Sequence, residues 1–339
     1  MKGIGRSSAV CWVAAGVVAA LLTVTCGPAP GAATPQTSKR VSFILDYLPG
    51  AVHLGFYAAQ ANGYYKDSGL DVEIVPGRGS LVASQQVATG AATLGFADFS
   101  AVANGVASGQ HVKMVAGMLQ RGTHGLSFLC STGIKTPRDL KGKRIATIAG
   151  EASFLLLLAL LARNGLKETD LTRIVVDPAA TTSTVLSGQA DARTTVTYDQ
   201  SLQIEATKVG KQGCSMAFAD QGVVTMGHGI IASTSLIASN PDLIARFVAA
   251  SMKGWQFAID NPDQARALML NLAKDADEQQ VRTGWPVIPP TLHTDRTRGQ
   301  PLGFMAKEDI DATLTLLKDT GIISQRLAAD QYFTDQFIR

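Results

Sequence analysis

LDYLPGAVHLGFYAAQANGYYKDSGLDVEI, residues Leu45 to Ile74, decides the fold. Val41 to Leu48 is a β-rich run that Pro49 and Gly50 break, and Leu54, Tyr57, Ala58 and Ala61 then fall at helical spacing until Gly63 stops the helix. Leu70, Val72 and Ile74 alternate with Asp71 and Glu73, so a second strand follows through a right-handed crossover. Strand, helix and strand in so short a span predict a parallel pair. Asp46, Tyr47, Pro49 and His53 therefore sit at or just beyond the carboxyl end of the first strand, where open α/β sheets hold ligands.

The same alternation continues along the chain. Strands are expected at Leu94 to Ala97 and Val112 to Ala116, with helices at Leu54 to Asn62, Leu81 to Thr89 and Ser100 to Ala107. After Arg121-Gly-Thr-His-Gly the pattern restarts: strands near Leu126 to Cys130, Lys143 to Ile148, Arg173 to Val176, Ala192 to Val196 and Ser215 to Ala219, with helices at Ala152 to Asn164, Thr182 to Leu186 and Ser201 to Val209. A further strand, Gly229 to Ser233, and a helical stretch from Pro241 to Ala273 exceed what the second lobe holds, so the chain is expected to return to the first. This predicts an α/β clamp of two lobes, each a mostly parallel sheet flanked by helices, with a ligand cleft between them. The expected boundaries are residues 41–121 for the first part of lobe 1, 122–228 for lobe 2 and 229–339 for the return to lobe 1 with C-terminal helices.

Residues 1–25 read as an export signal, since Lys2 and Arg6 precede an apolar run from Ala9 to Val24 that is too short for a membrane span. Cys26 directly after it is the expected lipidation site, and residues 26–40, rich in Pro, Ala, Thr and Ser, form a tether. Removing the first 25 of 339 residues leaves 314, enough for two lobes. A formal charge of +3, without a cluster of Lys and Arg among aromatics, gives no expectation of nucleic acid as a partner. Of the remaining cysteines, an exported protein could bridge Cys130 and Cys214, but two buried free thiols are the expectation ahead of a bridge.

No GxSxG elbow, P-loop, GxGxxG after a strand, CxxC or HExxH occurs, so neither catalysis, a metal nor a cofactor is expected. What remains is a set of binding groups. Ser80 after Gly77-Arg-Gly, Asp98 after the third strand, and Gly150-Glu151-Ala-Ser153 each begin a helix whose free N–H groups can hold a ligand oxygen, although each side chain serves equally well as a cap. Tyr47 faces the cleft if Phe43, Leu45 and Leu48 are core, and Tyr198 with Asp199 offers a matching aromatic and carboxylate from the other lobe.

These residues resemble the periplasmic-type substrate-binding proteins of ATP-binding-cassette importers, in the branch related to thiamine-pyrimidine synthases and sulfonate-binding proteins. The family opening stands here as Leu45-Asp46-Tyr47-Leu48-Pro49, His53-Leu-Gly55-Phe-Tyr57-Ala58, Gly63-Tyr-Tyr-Lys66 and Gly69-Leu-Asp-Val. Later blocks agree: Leu140-Lys-Gly-Lys-Arg-Ile, Asn240-Pro-Asp-Leu-Ile-Ala-Arg-Phe, Pro301-Leu-Gly-Phe-Met and the closing Tyr332-Phe-Thr-Asp-Gln-Phe. The resemblance implies a lipid-anchored, extracytoplasmic, monomeric receptor that closes on a small planar heterocycle, a thiamine pyrimidine precursor or riboflavin, and hands it to permease subunits. Relatives that bind sulfonates, taurine or nitrate are the alternative, for which Arg78 and Arg121 are the nearest cations. The resemblance adds Tyr57 and Ala97 to the expected contacts. The synthases of the family hold pyridoxal phosphate on a Lys with a His four residues later, where this chain has Ala97 and Ala101, and their cysteine-rich run has no counterpart near Thr225 to Ala232.

Overall fold

The computed structural model describes residues 38–338, so the signal, Cys26 and most of the tether lie outside the described residues. Among the described residues, ten strands form two five-stranded sheets. The first contains β1 (Lys39–Ile44), β2 (Leu70–Val75), β3 (Leu94–Asp98), β4 (Val112–Gly117) and β10 (His228–Ser233), in the order β2-β1-β3-β10-β4. The second contains β5 (His124–Leu129), β6 (Arg144–Thr147), β7 (Thr172–Val175), β8 (Ala192–Val196) and β9 (Gly213–Ala217), in the order β7-β6-β8-β5-β9. In each sheet four strands share one direction, three of them directly paired, and the fourth in order runs antiparallel to both neighbours: β10 beside β3 and β4, β5 beside β8 and β9. Both antiparallel strands are the ones the chain enters straight after passing between the sheets. The two passages hold each other, since Gly122 N–H donates to Thr225 O at 2.7 Å and Gly227 N–H to Leu119 O at 3.0 Å.

Helices α1 (Leu54–Ala61), α2 (Tyr64–Asp67), α3 (Ser80–Thr89) and α4 (Phe99–Ala107) serve the first sheet, and α5 (Ala152–Arg163), α6 (Thr181–Leu186) and α7 (Ser201–Lys208) the second. After β10 come α8 (Thr234–Ser239), α9 (Pro241–Asp260), α10 (Pro262–Leu272), α11 (Glu278–Gly284) and α12 (Lys307–Asp319). The expected single stretch over Pro241 to Ala273 is two helices, broken at Asn261, because Pro262 lacks the N–H to continue the ladder. Alpha9 lies on α1 at backbone contact: a Cβ on Gly254 would come within 2.2 Å of Gly55 O. Tyr65 of α2 stacks on Phe247 at 5.1 Å and shares a 3.0 Å hydrogen bond with Ser251.

Strand β2 and β8 run as their periodicity predicts, and most other boundaries shift by one or two residues. Beta1 stops at Ile44 rather than Leu48, and Leu48 is 47% exposed rather than core, because the chain turns at Asp46 to reach Pro49. Cys130 and Cys214 form a disulfide, contrary to the expectation of free thiols; antiparallel pairing of β5 with β9 brings their Cα atoms to 5.1 Å. A bridge closing a loop of 84 residues contributes about 4 kcal/mol on the chain-entropy account.

The closing Tyr332-Phe-Thr-Asp motif covers a sheet edge. Tyr332 is fully buried, its carbonyl accepts from Met114 N–H at 2.9 Å, and Thr334 N–H donates to Met114 O at 3.0 Å along β4. An edge strand left open invites pairing with other chains, and the tail occupies it. Asp335 in this tail accepts from Met305 N–H at 3.2 Å. Its burial pushes the carboxyl up to about 6, against the pull of that N–H. Because this value exceeds the ordinary one of 3.8, the fold favours the protonated acid; the contribution is complete below the ordinary value and is lost as pH rises through about 6. Asp335→Asn is expected to remove this loss, so denaturant midpoints between about pH 4 and 7 should fall for the wild type relative to the variant.

Candidate ligand-binding site

The carboxyl ends of the parallel strands in both sheets face one cavity of about 310 Å³, at the small end of the range for small-molecule sites. The loop after β1 brings Asp46, Tyr47, Pro49 and His53; the start of α3 brings Ser80; the start of α5 brings Glu151 and Ser153; the end of β8 brings Tyr198 and Asp199. Three expected residues are not among its lining. Tyr57 is 5% exposed and belongs to the hydrophobic core of the first lobe, where α1 packs against α9 and α10. Ala97 is fully buried within β3, and Asp98 is fully buried one layer behind the wall. Ser80 lines the cavity but does not cap its own helix: its hydroxyl accepts from Asp98 N–H at 3.1 Å, and Gly79 takes the N-cap position.

Behind the wall runs a chain of buried acids and imidazoles. Gly50 N–H donates to His53 Nδ1 at 3.1 Å, which fixes the ring proton on Nε2, and that N–H donates to Asp46 Oδ1 at 2.7 Å. His228 Nε2 lies 3.1 Å from Asp46 Oδ2, and its Nδ1 lies 3.8 Å from Asp98 Oδ2. Asp98 Oδ1 accepts from the N–H of Ser100 at 2.8 Å and from its hydroxyl, capping α4; Oδ2 meets His124 Nε2 at 2.9 Å, and His124 Nδ1 meets Ser153 Oγ at 2.7 Å. Burial alone would raise the Asp46 carboxyl, but His228 and His53 outweigh it and hold it well below the usual carboxylate range. Burial likewise opposes, and His124 and His228 with Ser100 overcome, so that Asp98 is held down to about 2. Both are carboxylates in the fold.

His124 and His228, which line the cavity, escaped the sequence reading. A signal existed: His-Gly-Leu at 124–126 and His-Gly-Ile at 228–230 begin the two antiparallel strands in the same way. The glycines are there for packing, since a Cβ on Gly125 would meet Met216 O at 2.5 Å and one on Gly229 would meet Ala116 O at 2.4 Å. Arg193 was missed too, although an arginine inside the short run Ala192 to Val196 is unusual for a buried strand. It is 4% exposed, and its guanidinium donates to Ser127 Oγ (2.9 Å), Thr181 Oγ1 (3.0 Å), Asp199 Oδ2 (2.6 Å) and Ser201 Oγ (2.8 Å). Arg78 and Arg121 are not among the lining residues; Arg121 belongs to a separate surface depression.

Among the described residues, Arg193 is the one Lys or Arg lining the cavity, against Asp46, Glu151 and Asp199 with Asp275 and Asp277 at its rim. Its charge is matched by Asp199, whose carboxyl burial would raise but Arg193 and Ser201 hold below the ordinary value. Glu151 accepts from Ile148 N–H at 3.0 Å and from Thr194, yet burial pushes its carboxyl up. Burial also raises both Tyr47 and Tyr198, so each presents a neutral phenol. The cavity thus offers aromatic faces and excess acceptors, with no unmatched cation.

The lobes touch across its mouth. Leu81 N–H at the start of α3 donates to Gly150 O at 3.1 Å, and Gln280 of α11 donates to Asp199 Oδ1 at 3.1 Å. Gly79, at φ +124°, has room for hydrogen only: a Cβ would stand 2.4 Å from Gly150 O. Gly79→Val therefore carries about 1–3 kcal/mol of backbone strain and props the lobes apart. In small-angle scattering its radius of gyration is expected to exceed that of the wild type under whichever condition most compacts the wild type.

Residues 51–265 match the family model described as NMT1/THI5 like. The chain is 26% identical over 321 residues to the riboflavin-binding protein RibY of Chloroflexus aurantiacus, spanning 93% of this chain and 90% of that protein. It is 25% identical over 252 residues to the formylaminopyrimidine-binding protein of Halalkalibacterium halodurans, spanning 73% and 74%. Among solved structures, the alkanesulfonate-binding protein SsuA from Xanthomonas axonopodis pv. citri bound to MOPS aligns with a TM-score of 0.69 at 15% identity over 87% of this chain and 98% of that one, a likeness of fold. With a match across most of its length and a two-lobed cavity of this plan, the chain belongs to the NMT1/THI5-like family.

Proposed function

We propose that the protein is the extracytoplasmic solute-binding component of an ATP-binding-cassette importer, and that its lobes close on a small planar heterocycle of the thiamine-pyrimidine or riboflavin kind for delivery to a permease. The observation that carries the ligand class is the charge of the cavity. A sulfonate or nitrate needs a free cation or converging N–H donors, whereas Arg193 is already paired with Asp199 and the other ionisable walls are acidic. A neutral ring bearing N–H or amino groups meets an acceptor at Glu151, whose hydrogen bonds engage one oxygen, the remaining lone pairs of the paired Asp46 and Asp199, and the rings of Tyr47 and Tyr198. The relatives that bind riboflavin and formylaminopyrimidine support the same class.

The enzyme reading, a thiamine-pyrimidine synthase using pyridoxal phosphate, needs an amine in the cavity to hold that group. No lysine is among the lining residues, and Ala97 and Ala101 are fully buried. The residues present do not fit the cofactor, and the protein is read as a receptor without catalysis. The disulfide agrees with an oxidising compartment. Cys26, after the apolar run and before the tether, is read as the lipid anchor holding the clamp beside its permease.

A thermal-shift panel on the chain from Gly27 onward, with formylaminopyrimidine, hydroxymethylpyrimidine, riboflavin, taurine and nitrate, tests the ligand class. A heterocycle is expected to stabilise the fold by about 2.7 kcal/mol at a hundredfold excess over Kd. Tyr47→Ala should weaken that binding by at least the roughly 0.5–1.5 kcal/mol of a stacking contact. A shift with taurine alone would reverse the reading, and a borohydride-sensitive absorbance acquired from pyridoxal phosphate would restore the enzyme.

For the anchor, Cys26→Ser is expected to release protein from the membrane or to leave an uncleaved precursor. Normal cleavage with unchanged membrane retention excludes lipidation at this residue.

A further inference from the structure

Asp98 Oδ2, His124 Nε2 and His228 Nδ1 converge within 4.8 Å of one another, from three segments far apart in sequence. We propose that these three residues form a binding site for one divalent transition-metal ion, with its open coordination position facing the ligand cavity. The separations of 2.9 Å (Asp98 to His124) and 3.8 Å (Asp98 to His228) bracket the edges of roughly 3.0–3.4 Å that bonds of about 2.1 Å produce around an octahedral or tetrahedral ion.

The atoms that do not face the centre are all occupied, as in established metal sites where outer partners fix each ligand's orientation. His228 Nε2 is held by Asp46 Oδ2 at 3.1 Å, His124 Nδ1 by Ser153 Oγ at 2.7 Å, and Asp98 Oδ1 by Ser100 N–H at 2.8 Å. These contacts also set the tautomers. Donation from His228 Nε2–H to Asp46 leaves Nδ1, which is buried and has no hydrogen-bond partner, as the atom able to bind an ion. His124 Nε2 is hydrogen-bonded to Asp98 Oδ2 at 2.9 Å; where an ion takes the place of that proton, Ser153 Oγ, whose hydroxyl reaches Thr195 O at 3.4 Å, can accept from His124 Nδ1–H. An ion binding here displaces the protons between these groups, and three ligand atoms then face one buried point.

Two imidazoles and one carboxylate favour zinc and its first-row neighbours over magnesium or calcium, which take oxygen. The +2 charge is balanced by Asp98 and Asp46. His124 and His228 line the cavity while Asp98 lies behind it, so a water or a ligand heteroatom reaches the ion from the cavity side. No sequence motif announces the site, because its ligands come from the end of β3 and the starts of β5 and β10.

The test uses the chain from Gly27 onward without a histidine tag, dialysed against chelator and titrated with Co²⁺ and then Zn²⁺, with no heterocycle present. The expected result is one Co²⁺ per chain, giving visible absorption bands that Zn²⁺ removes. Asp46→Asn, which alters the outer partner of His228 and of His53 but no ligand of the ion, should weaken binding by about 10–100-fold. His228→Gln should abolish the bands, and Tyr47→Ala, a cavity residue that is no ligand, should keep them. Absence of stoichiometric Co²⁺ binding by the wild type overturns the proposal whatever the variants do, as does full retention of the bands by a His124→Gln/His228→Gln double variant. Since no heterocycle takes part, failure here leaves the ligand-class reading standing, and the converse holds.

Discussion

Two carboxylates, Asp46 and Asp98, are buried where the chain passes between the lobes, and a buried charge is tolerated only with close partners. The partners come from both sheets: His53 and His228 for Asp46, His124 for Asp98. Much else follows from satisfying them. Gly50 must present its N–H to orient His53, Ser100 must begin α4 beside Asp98, and β5 and β10 must each open on a histidine at the same depth. Because His124 reaches from the second sheet to an acid of the first, the network also fixes how the lobes meet along the cavity floor. Removal of a single member would strand a charge, at a cost of several kcal/mol, rather than remove one contact.

The parallel portions of both sheets were legible because they depend on local periodicity. Beta2 alternates Leu70, Val72 and Ile74 against two acids, and β8 stands between clear helical runs, so their limits fall where the pattern places them. The Asp46-Tyr47-Pro49-His53 loop was legible for a related reason: a strand, a proline break and a helix leave only one place for polar residues at a sheet's carboxyl edge. Pairings between distant segments were not. The partnership of β5 with β9 decides the fate of Cys130 and Cys214, and nothing in either segment states it. Tyr57 illustrates the opposite error, in which a motif position was taken as a contact although helical geometry turns it to the core.

Motif membership and site membership diverge elsewhere. The terminal Tyr332 to Phe337 segment, one of the family blocks, closes the edge of β4 and lies apart from the cavity. Arg193 shows that the charge of a residue is a poor guide until its partners are known: taken alone it suggests an anion site, and with Asp199, Thr181 and Ser201 around it, it becomes a rigid wall. Selectivity in this cavity comes as much from what is already paired as from what is free.

The bridge between Cys130 and Cys214 encloses β6, β7, β8 and α5 to α7, and it joins the paired strands β5 and β9 at their end away from the passages between the lobes. Topologically the second lobe is a covalent ring hung from two adjacent points, while the first is built from the chain's two outer portions. Tension applied at Lys39 and through the C-terminal tail would therefore draw out β1 and the docked tail and bypass the ring altogether. The mechanical weak point lies in the half that carries both ends of the described chain, and the half that supplies Tyr198 and Arg193 to the cavity is shielded from that pull.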